Sequence, residues 1–278
     1  MRSKWVVFVL ACTILISGHA VSHAAPEAEL WPRWEAHDPQ SAATIDHGPW
    51  AQLLSRHIVA GTDGVNRVTY ADFTPEERAA LAQYIDDLTT LPISTYSRPE
   101  QMAYWINLYN ALTVKVVLDH YPVDSIRDID ISPGWFSNGP WGKKLVVVEG
   151  EELSLDDIEH RILRPIWRDP RIHYAVNCAA LGCPNLGAAP YLAATIDPQL
   201  DAAGRAYVND PRGVHVDDDD LVVSSIYDWF MEDFGATERE VIEHLRLFAD
   251  PDLDTTLERF DSIDDDEYDW DLNDAHSG

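Results

Sequence analysis

Between Glu100 and Asp119 the chain reads QMAYWINLYNALTVKVVL, and the only formal charge in that stretch is Lys115. At about 100° per residue, Lys115, Tyr104 and Leu108 share one narrow strip, and every other direction is apolar or amide. A helix apolar nearly all round belongs inside a domain, so residues 100–121 are expected to form a central buried helix, opened by Pro99 and closed by Pro122. It is too short and too polar for a membrane span. Asn107 and Asn110 lie three apart and share a face with Ala103, Val114 and Val117. Both amides should therefore point inward, either to tie down a loop backbone or to line a site.

The rest of the pattern alternates helices with short strands. Trp50, Leu53, Leu54 and Ile58 repeat at helical spacing after Pro49, and Val65–Tyr70 reads as a strand. Thr74-Pro75-Glu76-Glu77 announces a helix with a capping box, burying Leu81, Tyr84, Ile85 and Leu88. A short turn or helix is expected over 123–131, and a strand over Leu145–Val148. Ser154 caps a helix whose apolar face is Leu155, Ile158, Ile162, Leu163 and Ile166. Glu159 falls inside that apolar arc and His160 on its shoulder, which makes Glu159 the most anomalous charge in the chain. Ile172–Asn177 reads as a strand, and a helix starts at Asp197-Pro198. A hairpin follows, with Val214–Val216, the acidic turn Asp217–Asp220 and Leu221–Val223. Ser224 or Ser225 caps IYDWFMEDF, and Thr237 with Glu240 caps EVIEHLRLFA. The acidic end looks disordered by composition, yet Trp270 and Leu272 argue against that.

Composition narrows the function classes. The 278 residues carry a formal net charge of −28, which repels nucleic acid phosphates and anionic lipid and favours cationic partners. Residues 1–24 read as a secretory signal, with Arg2 and Lys4 before an apolar run and small residues at Ser22-His23-Ala24. Val9-Leu10-Ala11-Cys12 is a weak lipoprotein-like box, which leaves lipidation at Cys12 open. The mature chain is expected in the periplasm or outside the cell, with no transmembrane segment after cleavage. It would be an extended lead-in over 25–45, one domain over 46–273 and a tail over 274–278.

The chain lacks a phosphate-cradling glycine loop, a Gly-x-Ser-x-Gly elbow and a His-Glu-x-x-His motif, and neither metal nor cofactor is expected. Cys178 and Cys183 are the cysteines left after cleavage at the signal. Spaced C-x4-C around Gly182, they could bridge, as an oxidising compartment favours. Cys178, at the end of the expected strand, could instead be a nucleophile with a histidine base. Strand alternation points His173 away from Cys178, so His160 is the better base on geometry. The loop SPGWFSNGPWGKK, with Trp135 and Trp141, is either a packed loop or a binding lid, and His173 is a further binding candidate.

YWINLYNALTV (104–114), LSLDDIEHRILR (153–164), DPRIHYAVNCAALGCPNL (169–186), SSIYDWFMEDF (224–234) and YDWDLN (268–273) together resemble the family known as domain of unknown function 547. The resemblance runs in the family's order from about residue 45 to residue 273 and implies a structured C-terminal segment. It also implies that Glu159-His160, Asn107, Asn110 and Cys178 belong to the family's pattern. The expected fold is α+β: a single, mostly helical domain around the buried helix, with a small, mainly antiparallel sheet. Two functions remain open. One is a thiol-dependent hydrolase or acyltransferase acting on peptide or amide bonds of a small-molecule or peptide substrate. In it Cys178 is nucleophile, His160 base, Glu159 the group orienting that base, and Asn107 or Asn110 an oxyanion donor. The other is a non-catalytic binding or scaffold module for a cell-envelope protein, stapled by a Cys178–Cys183 disulfide.

Overall fold

The structure is a computed structural model and describes residues 26–134 and 139–276; the expected signal segment and Trp135 lie outside these. Helix α1 (Gly48–His57) leads into the hairpin β1 (Ile58–Ala60) and β2 (Asn66–Val68). Helix α2 (Pro75–Thr89) begins with the expected capping box: Thr74 Oγ1 accepts from the Glu77 amide, and the Glu77 carboxylate accepts from the Thr74 amide. Helix α3 (Arg98–His120) is the buried helix, and every residue from Gln101 to Val114 is buried. Even Tyr104 and Leu108, on the Lys115 strip, are fully covered. Lys115 itself reaches solvent and pairs with Asp119 one turn on.

A second hairpin, β3 (Val146–Val148) and β4 (Glu151–Leu153), precedes a π-helical segment at Asp157–Leu163 that runs on into α4 (Arg164–Trp167). Ser154 caps its start, its hydroxyl accepting from the Asp157 amide at 3.2 Å. Next come a helical turn, α5 (Ile172–Ala175), and the longer α6 (Ile196–Val208). The hairpin β5 (Val214–Asp217) and β6 (Asp220–Ser224) has the expected register, with Val216 opposite Leu221. Two short helices, α7 (Ile226–Trp229) and α8 (Met231–Phe234), lead to α9 (Glu238–Phe248) and α10 (Pro251–Leu257). Strand β7 (Asp265–Glu267) joins β6 in parallel. The fold is thus α+β, largely helical, with small and mainly antiparallel sheets.

One expected strand is absent. Residues 172–175 coil into α5, whose amides bond back to Asp169, Pro170 and Arg171. Among the described residues no strand flanks the extended residues that follow. The side-chain amide of Asn110 takes that place, donating to the Ala175 carbonyl at 2.9 Å and accepting from the Asn177 amide at 2.8 Å. Local propensity yields here to a tertiary partner that satisfies the backbone without a sheet.

The acidic C-terminal stretch is ordered, as Trp270 and Leu272 implied. Its backbone threads between the first hairpin and the cysteine loop. Val68 N donates to Asn273 O, Leu181 N to Asp271 O, and Asn273 N to Ala179 O. Leu272 is 1 % exposed in the core, and Asp274 is also buried.

Packing around α3 should dominate stability. Truncating fully buried Leu108 to Ala is expected to cost about 2–5 kcal/mol in a urea titration, whereas Leu247→Ala should change stability by less than about 0.5 kcal/mol. Leu247 is 69 % exposed, so similar costs at both positions would contradict this account of the core.

Candidate functional site

The two asparagines of α3 have their amides committed. Asn107 Nδ2 donates to Tyr191 O at 2.7 Å, and its Oδ1 accepts from Tyr191 N at 3.0 Å. Asn110 brackets Ala175 and Asn177 in the same way. Both side chains hold loop backbone on either side of the cysteine segment. An amide so engaged is a clamp, and its donor faces a backbone carbonyl instead of open space.

Asn177 continues this network, donating to Pro184 O and accepting from the Ala179 amide at 2.9 Å. Ala179, the residue after Cys178, takes a left-handed backbone with φ of 61°. For alanine that conformation costs about 1–2 kcal/mol, so the contacts around it must hold it in place. Cys178 and Cys183 are joined as a disulfide. Cys183 is buried and Cys178 partly exposed. The Cys178 amide lies 2.9 Å from Cys183 Sγ. The Tyr268 hydroxyl sits 3.0 Å from Cys178 Sγ and 3.1 Å from Cys183 Sγ. In this state Cys178 has no thiol to ionise.

Glu159 and His160 occupy the π-helical segment. Its i→i+5 hydrogen bonds give a wider turn than the 3.6-residue repeat, so wheel angles counted from Leu155 do not carry over to His160. Both side chains are buried. Among the described residues no hydrogen bond joins the Glu159 carboxylate to His160. The carboxylate lies 3.7 Å from His173 Nδ1 and also faces the Tyr109 hydroxyl, whose pKa is pushed well above its ordinary value by burial and then by Glu159. Burial likewise raises Tyr268, with Tyr207 and Glu159 adding to it, so one carboxylate acts on both phenols.

Arg164 organises the rest. Its guanidinium donates to His160 Nδ1 at 3.1 Å, to Asp233 Oδ2 and to Pro26 O, and pairs with Glu232. His160 therefore has Nδ1 as an occupied acceptor, with Nε2 3.8 Å from Asp156 Oδ1. Burial lowers His160 to about 4, against the opposing pull of Glu159. His173 Nε2 donates to Asp233 Oδ2 at 2.7 Å. Burial works to raise Asp233, but hydrogen bonds from His173 and Arg164 bring it down to about 2. Asp156 is raised to about 6 by burial and then by the charges of Glu159 and Asp157. The Phe230 ring stacks on His173 at 4.4 Å and lies under the Arg164 guanidinium at 4.6 Å. The N-terminal lead-in straps this network, with Glu29 N on His160 O and Trp31 N on Arg161 O.

Two depressions adjoin these groups. One, of about 620 Å³, is lined by Gly182, Arg212, Tyr268, Asp269 and Trp270 among others, beside the disulfide. The other, of about 340 Å³, opens over Arg164 and Asp233. Gly182 is required at the first: a Cβ there would stand 2.8 Å from the Asp269 backbone nitrogen. Trp141 packs edge-on against Trp270 at 5.8 Å, which places part of the Trp-rich loop on this aromatic wall. Among the described residues no His, Cys, Asp and Glu side chains gather as a metal site. Tyr109, Arg164, Asp233 and Tyr268 were not singled out from sequence. Asp233 and Tyr268 lie in the motifs IYDWFMEDF and YDWDLN, but nothing local marks them as partners of His173 and Cys178.

Residues 93–208 match the model of a family described as Protein of unknown function, DUF547. The match takes in both asparagines, Glu159, His160, His173 and both cysteines, and ends before Asp233 and Tyr268. Comparison with curated proteins and with solved structures returned no match.

The buried imidazoles fix an acid limit. Burial lowers His47, His160 and His244 from 6.5 to about 4, so each is neutral in the fold and more easily protonated in the unfolded chain. Their stability contribution is full above pH 6.5 and is lost as pH falls from 6.5 toward 4. Asp156, raised to about 6, works in the opposite sense. The melting temperature should fall from pH 7 to pH 4.5, with three imidazoles still neutral by NMR at pH 5. Three imidazoles that titrate near 6.5 in the folded protein would contradict the burial account.

Proposed function

We propose that this protein is a secreted or periplasmic binding module of the cell envelope, non-catalytic, whose Cys178–Cys183 disulfide braces a ligand cleft. One observation carries the reading. The Tyr268 hydroxyl contacts both sulfurs while Tyr268 forms part of the 620 Å³ cleft wall. Gly182, inside the disulfide loop, lines the same cleft, and its amide is held by Asp269 O at 2.8 Å. The bridge thus supports a wall instead of presenting a nucleophile. The committed amides of Asn107 and Asn110 and the occupied Nδ1 of His160 point the same way.

A second reading has its own support. Glu159, His160 and His173, all buried, and the half-buried Asp233 form a dense ionisable cluster on and around a π-helical segment, and both features recur at functional sites. In this reading the protein is a thiol-dependent hydrolase or acyltransferase for peptide or amide bonds. Cys178 is the nucleophile once an external dithiol has reduced its bond to Cys183 by thiol–disulfide exchange and become a disulfide itself, and a rearranged His160 is the base.

Alkylation with mass readout separates the two. In the purified mature protein, without reductant, neither cysteine should label in native or denatured samples. Cys183→Ala should destabilise by about 2 kcal/mol or more, from the loop entropy of a short bridge. Rapid native labelling of Cys178 would sink the module reading and favour the enzyme.

A further inference from the structure

The cleft beside the disulfide has a chemical preference. Two of its charged lining groups, Glu267 and Asp269, are exposed and take part in no ion pair among the described residues. Asp269 uses one oxygen to accept the Asp271 amide, which leaves its charge uncompensated. The cation on the lining, Arg212, is spent inward. Its nitrogens bond Leu181 O and Asn185 Oδ1 and lie 3.4 Å from Asp210 Oδ1. His215 directs Nδ1 to Pro211 O at 2.8 Å. The Arg127 guanidinium at the Trp270 ring offsets one of these charges, and with Asp210 set against Arg212 the wall keeps a net negative charge.

The aromatic side of the wall has the same polarity preference. Tyr268 and Trp270 line the cleft with ring centroids 4.7 Å apart, and Trp229 packs behind both at 4.8 and 5.6 Å. Ring faces are the negative pole of an aromatic quadrupole and attract cations. Trp270 already does so, with the Arg127 guanidinium 5.1 Å from its centroid. Carboxylates beside half-buried aromatic rings are the combination that holds an ammonium group on an alkyl stem. The rings cover the stem and the carboxylates meet the charge.

We propose that this cleft binds the alkylammonium group of a lysine side chain on a partner peptide. The assignment rests on the binding-module reading and gives its ligand class. The disulfide fixes Gly182 and Tyr268, and thus the spacing between the aromatic and the acidic wall.

The test uses the full mature chain and lysine capped as N-acetyl-lysine methylamide, with the capped norleucine analogue as the uncharged control. Binding is read from the Trp270 indole resonance, assigned with Trp270→Phe. Capped lysine should shift that resonance saturably and capped norleucine should not. Glu267→Gln with Asp269→Asn should weaken binding by roughly tenfold or more, the loss expected when two close charges are removed. Glu76→Gln with Asp86→Asn removes two charges from the exposed face of α2 and should leave binding within about twofold. Equal loss in both double variants would mean attraction to the overall charge of −28 and would overturn the site. So would saturable binding of norleucine, or no shift with lysine. The cysteine labelling involves no ligand. Failure here with both cysteines bridged removes the lysine assignment alone, whereas a free, reactive Cys178 removes the module reading beneath it.

Discussion

The side-chain amides of Asn107 and Asn110, one turn apart on α3, each donate to and accept from a backbone segment that has no sheet neighbour. A buried peptide group without a partner costs about 1–3 kcal/mol, so these four hydrogen bonds decide where residues 175–177 and 191 can lie. α3 can carry them because it is buried on all sides and gives its amides no competing water. The cysteine loop hangs between the two clamps. The position of Cys178, the left-handed Ala179 and the packing of Gly182 against Tyr268 and Asp269 all follow from that suspension.

On the other side of α3 a second constraint operates, and it is electrostatic. The π-helical segment carries Glu159 and His160 inward, where each needs compensation. Arg164 supplies part of it through His160, Asp233 and Glu232, and His173 bridges toward Glu159 and Asp233. Charges held this closely are costly unless every member is partnered, which explains why Phe230 stacks over the group and the lead-in straps it. Glu159 joins the two regions: it faces Tyr109 on α3 and raises the pKa of Tyr268, which touches the disulfide.

Much of the helical framework was legible from sequence because it depends on local rules. The capping box at Thr74, the apolar run of α3, the β5–β6 hairpin and the inward Glu159 each follow from residues within a few positions of one another. Trp270 and Leu272 also marked the ordered end correctly. The reading of Ile172–Asn177 as a strand failed because Asn110, more than sixty positions away, supplies the bonds a neighbouring strand would have made. His160, expected on the shoulder of the buried face, is itself buried, on a segment whose i→i+5 hydrogen bonds a 3.6-residue wheel does not describe. The inward direction of both asparagines was legible, but their partners were not. Arg164, Asp233 and Tyr268 acquire their roles through contacts far apart in the chain, which no local pattern encodes.

The central claim is that two buried amides, rather than a sheet, hold the loops that build the disulfide and its cleft. Hydrogen exchange at the Asn177 and Tyr191 amides tests it directly, since each donates to a carboxamide oxygen of α3. Both amides should exchange only through global unfolding, at the rate of Leu112 in the middle of that helix. Exchange at either amide a hundredfold or more faster than at Leu112 would show that the loop opens independently of α3 and would contradict the account.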